Sequence, residues 1–135
     1  MAPRLPKRTP SLTTDMDTRY TCVSFDCPCS ELEELDLDEH VNRSTWTCIE
    51  CNCPVSVDMA NDWGEKCTVY RYQAQQLKKR DYIYKGNNLD VAVEVTGSNA
   101  TDVEGRWYFA LAGHKFEFVE PDRYYNCLPT GHHVR

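Results

Sequence analysis

No stretch of this chain approaches the roughly 18 consecutive apolar residues that a helical bilayer span requires, so no membrane helix is predicted. An apolar leader core is missing too. Met1 to Pro10 sets Arg4, Lys7 and Arg8 among Pro3, Pro6 and Pro10, a composition that predicts a protein of the reducing cytoplasm. Among the six glycines there is no phosphate-cradling loop, and the four histidines (His40, His114, His132 and His133) stand beside no nucleophile-and-base constellation. The expectation is therefore a protein that is not an enzyme. Basic side chains are scarce in one place: residues 21–65 hold one basic and eleven acidic groups, a net of −10, whereas residues 1–20 and 66–135 each carry a net of +2. So acidic a segment repels a phosphate backbone, which argues against nucleic acid as its partner.

Cysteine is what the chain has in plenty. Six of its eight cysteines fall between Cys22 and Cys53, in two similar halves. Tyr20-Thr21-Cys22 leads to Cys27-Pro28-Cys29, and Trp46-Thr47-Cys48 leads to Cys51-Asn52-Cys53. In a reducing compartment such close spacings point to metal, and a disulfide between cysteines so near in sequence would be strained. Zinc suits them, because it accepts four soft thiolates in a tetrahedron. The pairing that resembles known zinc ribbons is Cys22 and Cys27 with Cys48 and Cys51. A competing set takes Cys27 and Cys29 with two of Cys48, Cys51 and Cys53, and all six could hold two ions through shared thiolates. Where one ion binds, Cys29 and Cys53 are expected to pack as small apolar residues. His40 is a further candidate ligand, weighed against a plain surface role. Four protein ligands close the coordination sphere, so the zinc is expected to be structural, replacing a core that few large apolar residues could build.

Between the halves, Ser30 with Glu33 fits a capping box, and Leu32, Leu35 and Val41 fit one side of a short helix. Its acidic residues, Glu33, Glu34, Asp36, Asp38 and Glu39, read as a solvated face or as a docking face for a basic partner. The turn Asn61 to Glu65 separates this module from a β-rich texture. Strands are predicted at 67–72, 81–85, 89–95, 106–112 and 115–120, with a turn at 86–88, a loop over 96–105 and a tight hairpin at Gly113-His114. Lys78, Lys79 and Arg80 beside Tyr82 and Tyr84 are a conceivable base-stacking platform, although alternation turns about half of such aromatics inward. Cys67 and Cys127 are expected to be core thiols.

The run Leu77 to Ile83, followed by a valine-rich strand and an aromatic hairpin, resembles the SH3-like barrels of the Tudor and elongation-factor type. That resemblance implies an antiparallel barrel and no particular activity. The expected architecture is mainly β: an arm (1–19), an acidic zinc-ribbon-like module with one short helix (20–64), an SH3-like antiparallel barrel (65–128) and a tail (129–135). The expected role is a zinc-binding protein–protein interaction factor in which Arg4, Lys7, Arg8 and the acidic face meet the partner. A phage virion or connector assembly component and a nucleic-acid-binding transcription-type factor are the alternatives.

Overall fold

The computed structural model describes residues 12, 14–85 and 88–129. The expected arm falls largely outside these residues, with Arg4, Lys7 and Arg8, and so do Gly86 and Asn87 of the expected turn and most of the expected tail. Among the described residues ten strands dominate: β1 (Asp17–Cys22), β2 (Val41–Asn42), β3 (Thr47–Cys48), β4 (Val55–Ala60), β5 (Lys66–Gln73), β6 (Tyr82–Tyr84), β7 (Val93–Ala100), β8 (Trp107–Leu111), β9 (Glu117–Val119) and β10 (Tyr124–Cys127). All pairings among the described residues are antiparallel. Eight strands form one sheet in the order β1-β4-β5-β10-β6-β7-β8-β9, while β2 and β3 pair separately.

The sheet is open. Among the described residues β9 and β1 are its two ends and do not pair, so the expected barrel closure is not found. The sheet also runs straight across the Asn61–Glu65 turn. There Gly64 takes a left-handed φ of 81°, the Asn61 carboxamide oxygen accepts the N–H groups of Trp63 and Glu65, and β4 pairs with β5 from Val57–Val69 to Ala60–Lys66.

Strand β5 is buried on both faces, and that divides the interior in two. Val69 joins Val55, Val57 and Met59 of β4, Leu35, Val41, Trp46, Leu89 and the cysteines in one cluster. Tyr70 and Tyr72, pointing the other way, join Ile83, Val95, Phe109, Leu111, Val119 and Cys127 in the second. On β4 the alternation Val-Ser-Val-Asp-Met-Ala sends every second side chain inward, as period-two patterning requires. Each such burial contributes about 1.5–3 kcal/mol.

Two expectations fail for local reasons. No α-helix forms over residues 30–41. Instead a single 3-10 turn spans Pro28–Glu31, and the Ser30 hydroxyl donates back to the Cys27 carbonyl (2.7 Å) rather than capping a helix. Beyond it Asp36 Oδ1 accepts the N–H groups of Asp38 and Glu39, and His40 Nδ1 accepts that of Asp36 (2.8 Å). Side chains thus take the donors a helix would have used. The second failure is register: β7 lies at 93–100, over much of the predicted loop, and not at 89–95. Gly97 is what allows it. A Cβ there would sit 2.8 Å from Cε2 of Tyr108, which lies across it, so only glycine lets β7 pass beneath that ring.

Candidate metal centre

Four of the six clustered cysteines converge. The Sγ atoms of Cys22, Cys27, Cys48 and Cys51 all lie within 4.8 Å of one another, with Cys22–Cys51 at 3.6 Å and Cys27–Cys48 at 3.7 Å. A tetrahedron with metal–sulfur bonds of about 2.3 Å has sulfur–sulfur edges of about 3.8 Å, so the two measured edges already fit one. Each half supplies two ligand positions. Cys22 ends β1, Cys27 precedes the 3-10 turn, Cys48 ends β3, and Cys51 follows in the next turn.

Backbone geometry in each half aims amides at sulfur. The N–H of Ser24 faces Cys22, that of Cys29 faces Cys27, and those of Glu50 and Cys51 face Cys48. Burial pushes the Cys22 and Cys27 thiols up. Burial acts the same way on Cys48, but its two amides and the neighbouring thiols of Cys27 and Cys51 outweigh it and hold Cys48 down at about 7. Cys48 is therefore the sulfur readiest to become a thiolate, and the thiolate is the species that binds metal. The loop around it is tightly framed: Cys48 N–H donates to the Cys53 carbonyl (2.9 Å), Asn52 N–H to the Cys48 carbonyl (2.8 Å) and Ile49 N–H to the His40 carbonyl (3.0 Å). Asn52 takes the left-handed φ of 60° that this turn needs, which asparagine tolerates better than most residues.

The remaining candidates are placed differently. Cys29 and Cys53 are not in the group of four. Cys29 is buried beside Cys48 and Cys27, and burial together with those sulfurs pushes its thiol up to about 12, so it keeps its proton. Cys53 contributes its carbonyl. His40 spends Nδ1 on the Asp36 amide. Cys127 is buried, donates to the Tyr125 carbonyl (3.2 Å) and is pushed up by burial; Cys67 is half-buried and also raised by burial. Glu33, Glu34, Asp36, Asp38 and Glu39 are all exposed.

Sequence reasoning missed a polar network behind the thiols. Arg71 of β5 reaches across to Asp17 of β1 in a two-pronged ion pair (2.8 and 2.6 Å) whose side chains are almost wholly buried. Its Nε donates to Asn126 Oδ1 (2.8 Å), and its guanidinium lies 4.3 Å from the centroid of the Trp46 ring. Trp46 in turn stacks on Tyr20, whose hydroxyl donates to Asp17 Oδ2 (2.5 Å); burial, with Asp17 beside it, pushes the Tyr20 phenol up. Tyr20 and Trp46 are the aromatic residues that lead into each cysteine half, so the repeated aromatic-Thr-Cys pattern was the available signal. Trp46 holds a φ of 55°, costly for so bulky a side chain, and its contacts with Tyr20 and Arg71 help to hold it there.

No family model, curated protein or solved structure matches the chain.

Proposed function

We propose that this chain is a non-catalytic protein–protein interaction factor in which Cys22, Cys27, Cys48 and Cys51 hold one structural zinc ion. The observation that carries the reading is the gathering of four sulfurs from two separated knuckles within 4.8 Å of one another. Four thiolates leave no open position for water or substrate, which is how structural zinc differs from catalytic zinc. The ion would tie β1 to the β2–β3 hairpin in a zinc-ribbon-like arrangement, and its binding would contribute on the order of 10 kcal/mol to folding that segment. The exposed acidic loop supports contact with a basic protein surface, and cysteines that form no disulfide suit a reducing compartment.

The experiment is metal analysis of the purified full chain, prepared under reducing conditions. One zinc per chain is expected, lost in Cys22→Ser and Cys48→Ser and kept in Cys29→Ser and Cys53→Ser. Iron in place of zinc would correct the metal; a metal-free yet fully folded chain would end the proposal. For the partner, Glu33, Glu34, Asp38 and Glu39 are exchanged for their amides, leaving Asp36 because it holds the loop. Capture of a basic partner should fall in that variant with zinc retained, and unchanged capture would remove the acidic face from the reading.

A further inference from the structure

Between Leu77 and Asp81 the chain makes a tight turn that carries three cations. Leu77 and Asp81 are buried at its two ends, and Lys78, Lys79 and Arg80 between them are all exposed. None of the three cations forms an ion pair among the described residues. The turn is pegged from within: the Lys78 N–H donates to Asp81 Oδ2 (2.8 Å), the Asp81 N–H to the Lys78 carbonyl (3.1 Å) and the Arg80 N–H to the Val95 carbonyl of β7 (3.0 Å). Arg80 holds a left-handed φ of 78°, which glycine would adopt without strain. An arginine kept in so costly a backbone conformation marks a position used for contact.

The chain itself presents the complementary surface. Glu33, Glu34, Asp38 and Glu39 stand exposed on the loop between β1 and β2, which hydrogen bonds from Asp36 and His40 hold in shape. Among the described residues Asp38 alone of these has an ion-pair partner, Arg43. Buried Leu35 ties the acidic loop to the first core, and buried Leu77 ties the basic turn to the second. Strand β5 separates those cores, and no ion pair among the described residues joins turn and loop within one chain. We infer that the Lys78-Lys79-Arg80 turn of one copy docks on the acidic loop 33–39 of a second copy. Nucleic acid suits the turn less well. Tyr84 packs on the first core and leaves Tyr82 as the exposed ring of that pair, so no row of rings stands there for bases to stack on, and the chain as a whole carries a net −6. The inference rests on the acidic-face reading above and names the basic surface that the face meets.

The test is sedimentation of the full chain, prepared under reducing conditions, over a wide range of concentrations and from moderate to high salt. Self-association is expected, and it should weaken as salt rises, because exposed charges are screened beyond about 10 Å at about 0.1 M. Three exposed ion pairs together are worth about tenfold in affinity, so Lys78→Gln with Lys79→Gln and Arg80→Gly should weaken association by about that factor. Reversal of the turn (Lys78→Glu, Lys79→Glu, Arg80→Glu) and, in a separate chain, of the loop (Glu33→Lys, Glu34→Lys, Asp38→Lys, Glu39→Lys) should abolish association of each variant alone. Mixing the two reversed variants should restore it. Arg80→Gly by itself should raise the thermal midpoint by relieving the backbone, yet weaken association. A lowered midpoint with association unchanged would make the turn purely structural and overturn the inference. A folded chain that stays monomeric at every concentration overturns it too, and if the amide-exchanged loop still loses a basic partner, the interaction reading stands without self-docking. Association that persists in both reversed variants, or a monomeric chain whose turn binds a single-stranded oligonucleotide, overturns it as well.

Discussion

Arg71 is the residue most of the molecule leans on. Its partner Asp17 sits on the first strand, its ring contact Trp46 two positions before a metal-site cysteine, and its amide partner Asn126 on the last strand. Breaking a buried pair from one side leaves a charge without compensation, at a cost of about 3–5 kcal/mol, whereas removing both members costs far less. Asp17→Asn and Arg71→Met should each show that loss in the urea midpoint, and the double variant should recover much of it; equal losses in all three would mean the pair carries no coupling. None of this was legible in advance. An arginine within a β-rich run reads as a surface residue, and only the pairing of β1 with β4 and of β4 with β5 brings Asp17 within its reach. The cysteine cluster was legible because metal chemistry restricts spacing, but spacing alone left the set Cys22, Cys27, Cys48 and Cys51 beside one that used Cys29 or Cys53 and beside a six-cysteine site. That Cys29 and Cys53 stand outside the group of four is a three-dimensional fact.

Among the elements, β7 shows where sequence patterning misleads. The alternation of Leu89, Val91, Val93 and Val95 suggests a strand, yet Val91 is exposed and Leu89 packs into the metal-site core, while pairing continues past Val95 to Ala100. Cross-strand partners on β8 outweighed local propensity, and the glycine that read as a loop is the one position where Tyr108 can lie flat. Gly97→Ala should therefore destabilise by about 1–3 kcal/mol through overpacking. Tyr108→Ala added to it should return part of that loss, as read by thermal unfolding. Strand β4 was not expected from the sequence; its Met59 is fully buried, and Met59→Ala should cost about 2–5 kcal/mol. The missing helix at 30–41 has the opposite origin, since Asp36 and His40 supply shorter-range partners for the backbone than a helix would.

For the whole molecule, protons are the sharpest probe. Metal binding requires thiolates, so acid should release the ion and unfold the segment around it, with the loss followed by metal release against pH. At the alkaline end Cys127 and Tyr72 are both raised, chiefly by burial, from ordinary values of 9.0 and 10.0. The folded chain keeps protons that the unfolded chain would give up. Their contribution is thus complete below those ordinary values and erodes as pH rises through and beyond them. Denaturation midpoints of the metal-bound chain should fall above about pH 9, and Cys127→Ala should blunt the thiol part of that fall. The mainly β, antiparallel character was readable from composition and alternation, whereas openness of the sheet was not, because closure depends on twist accumulated over many strands.

Strand β5 acts as a party wall, with one room's lining on each side. A gene cut after Gly64 would leave the whole wall with the second product, the first lacking the surface its valines lean on and the second showing bare aliphatic carbon to water. Neither product should survive on its own in a cell, and the two rooms could not be traded between proteins as separate cassettes.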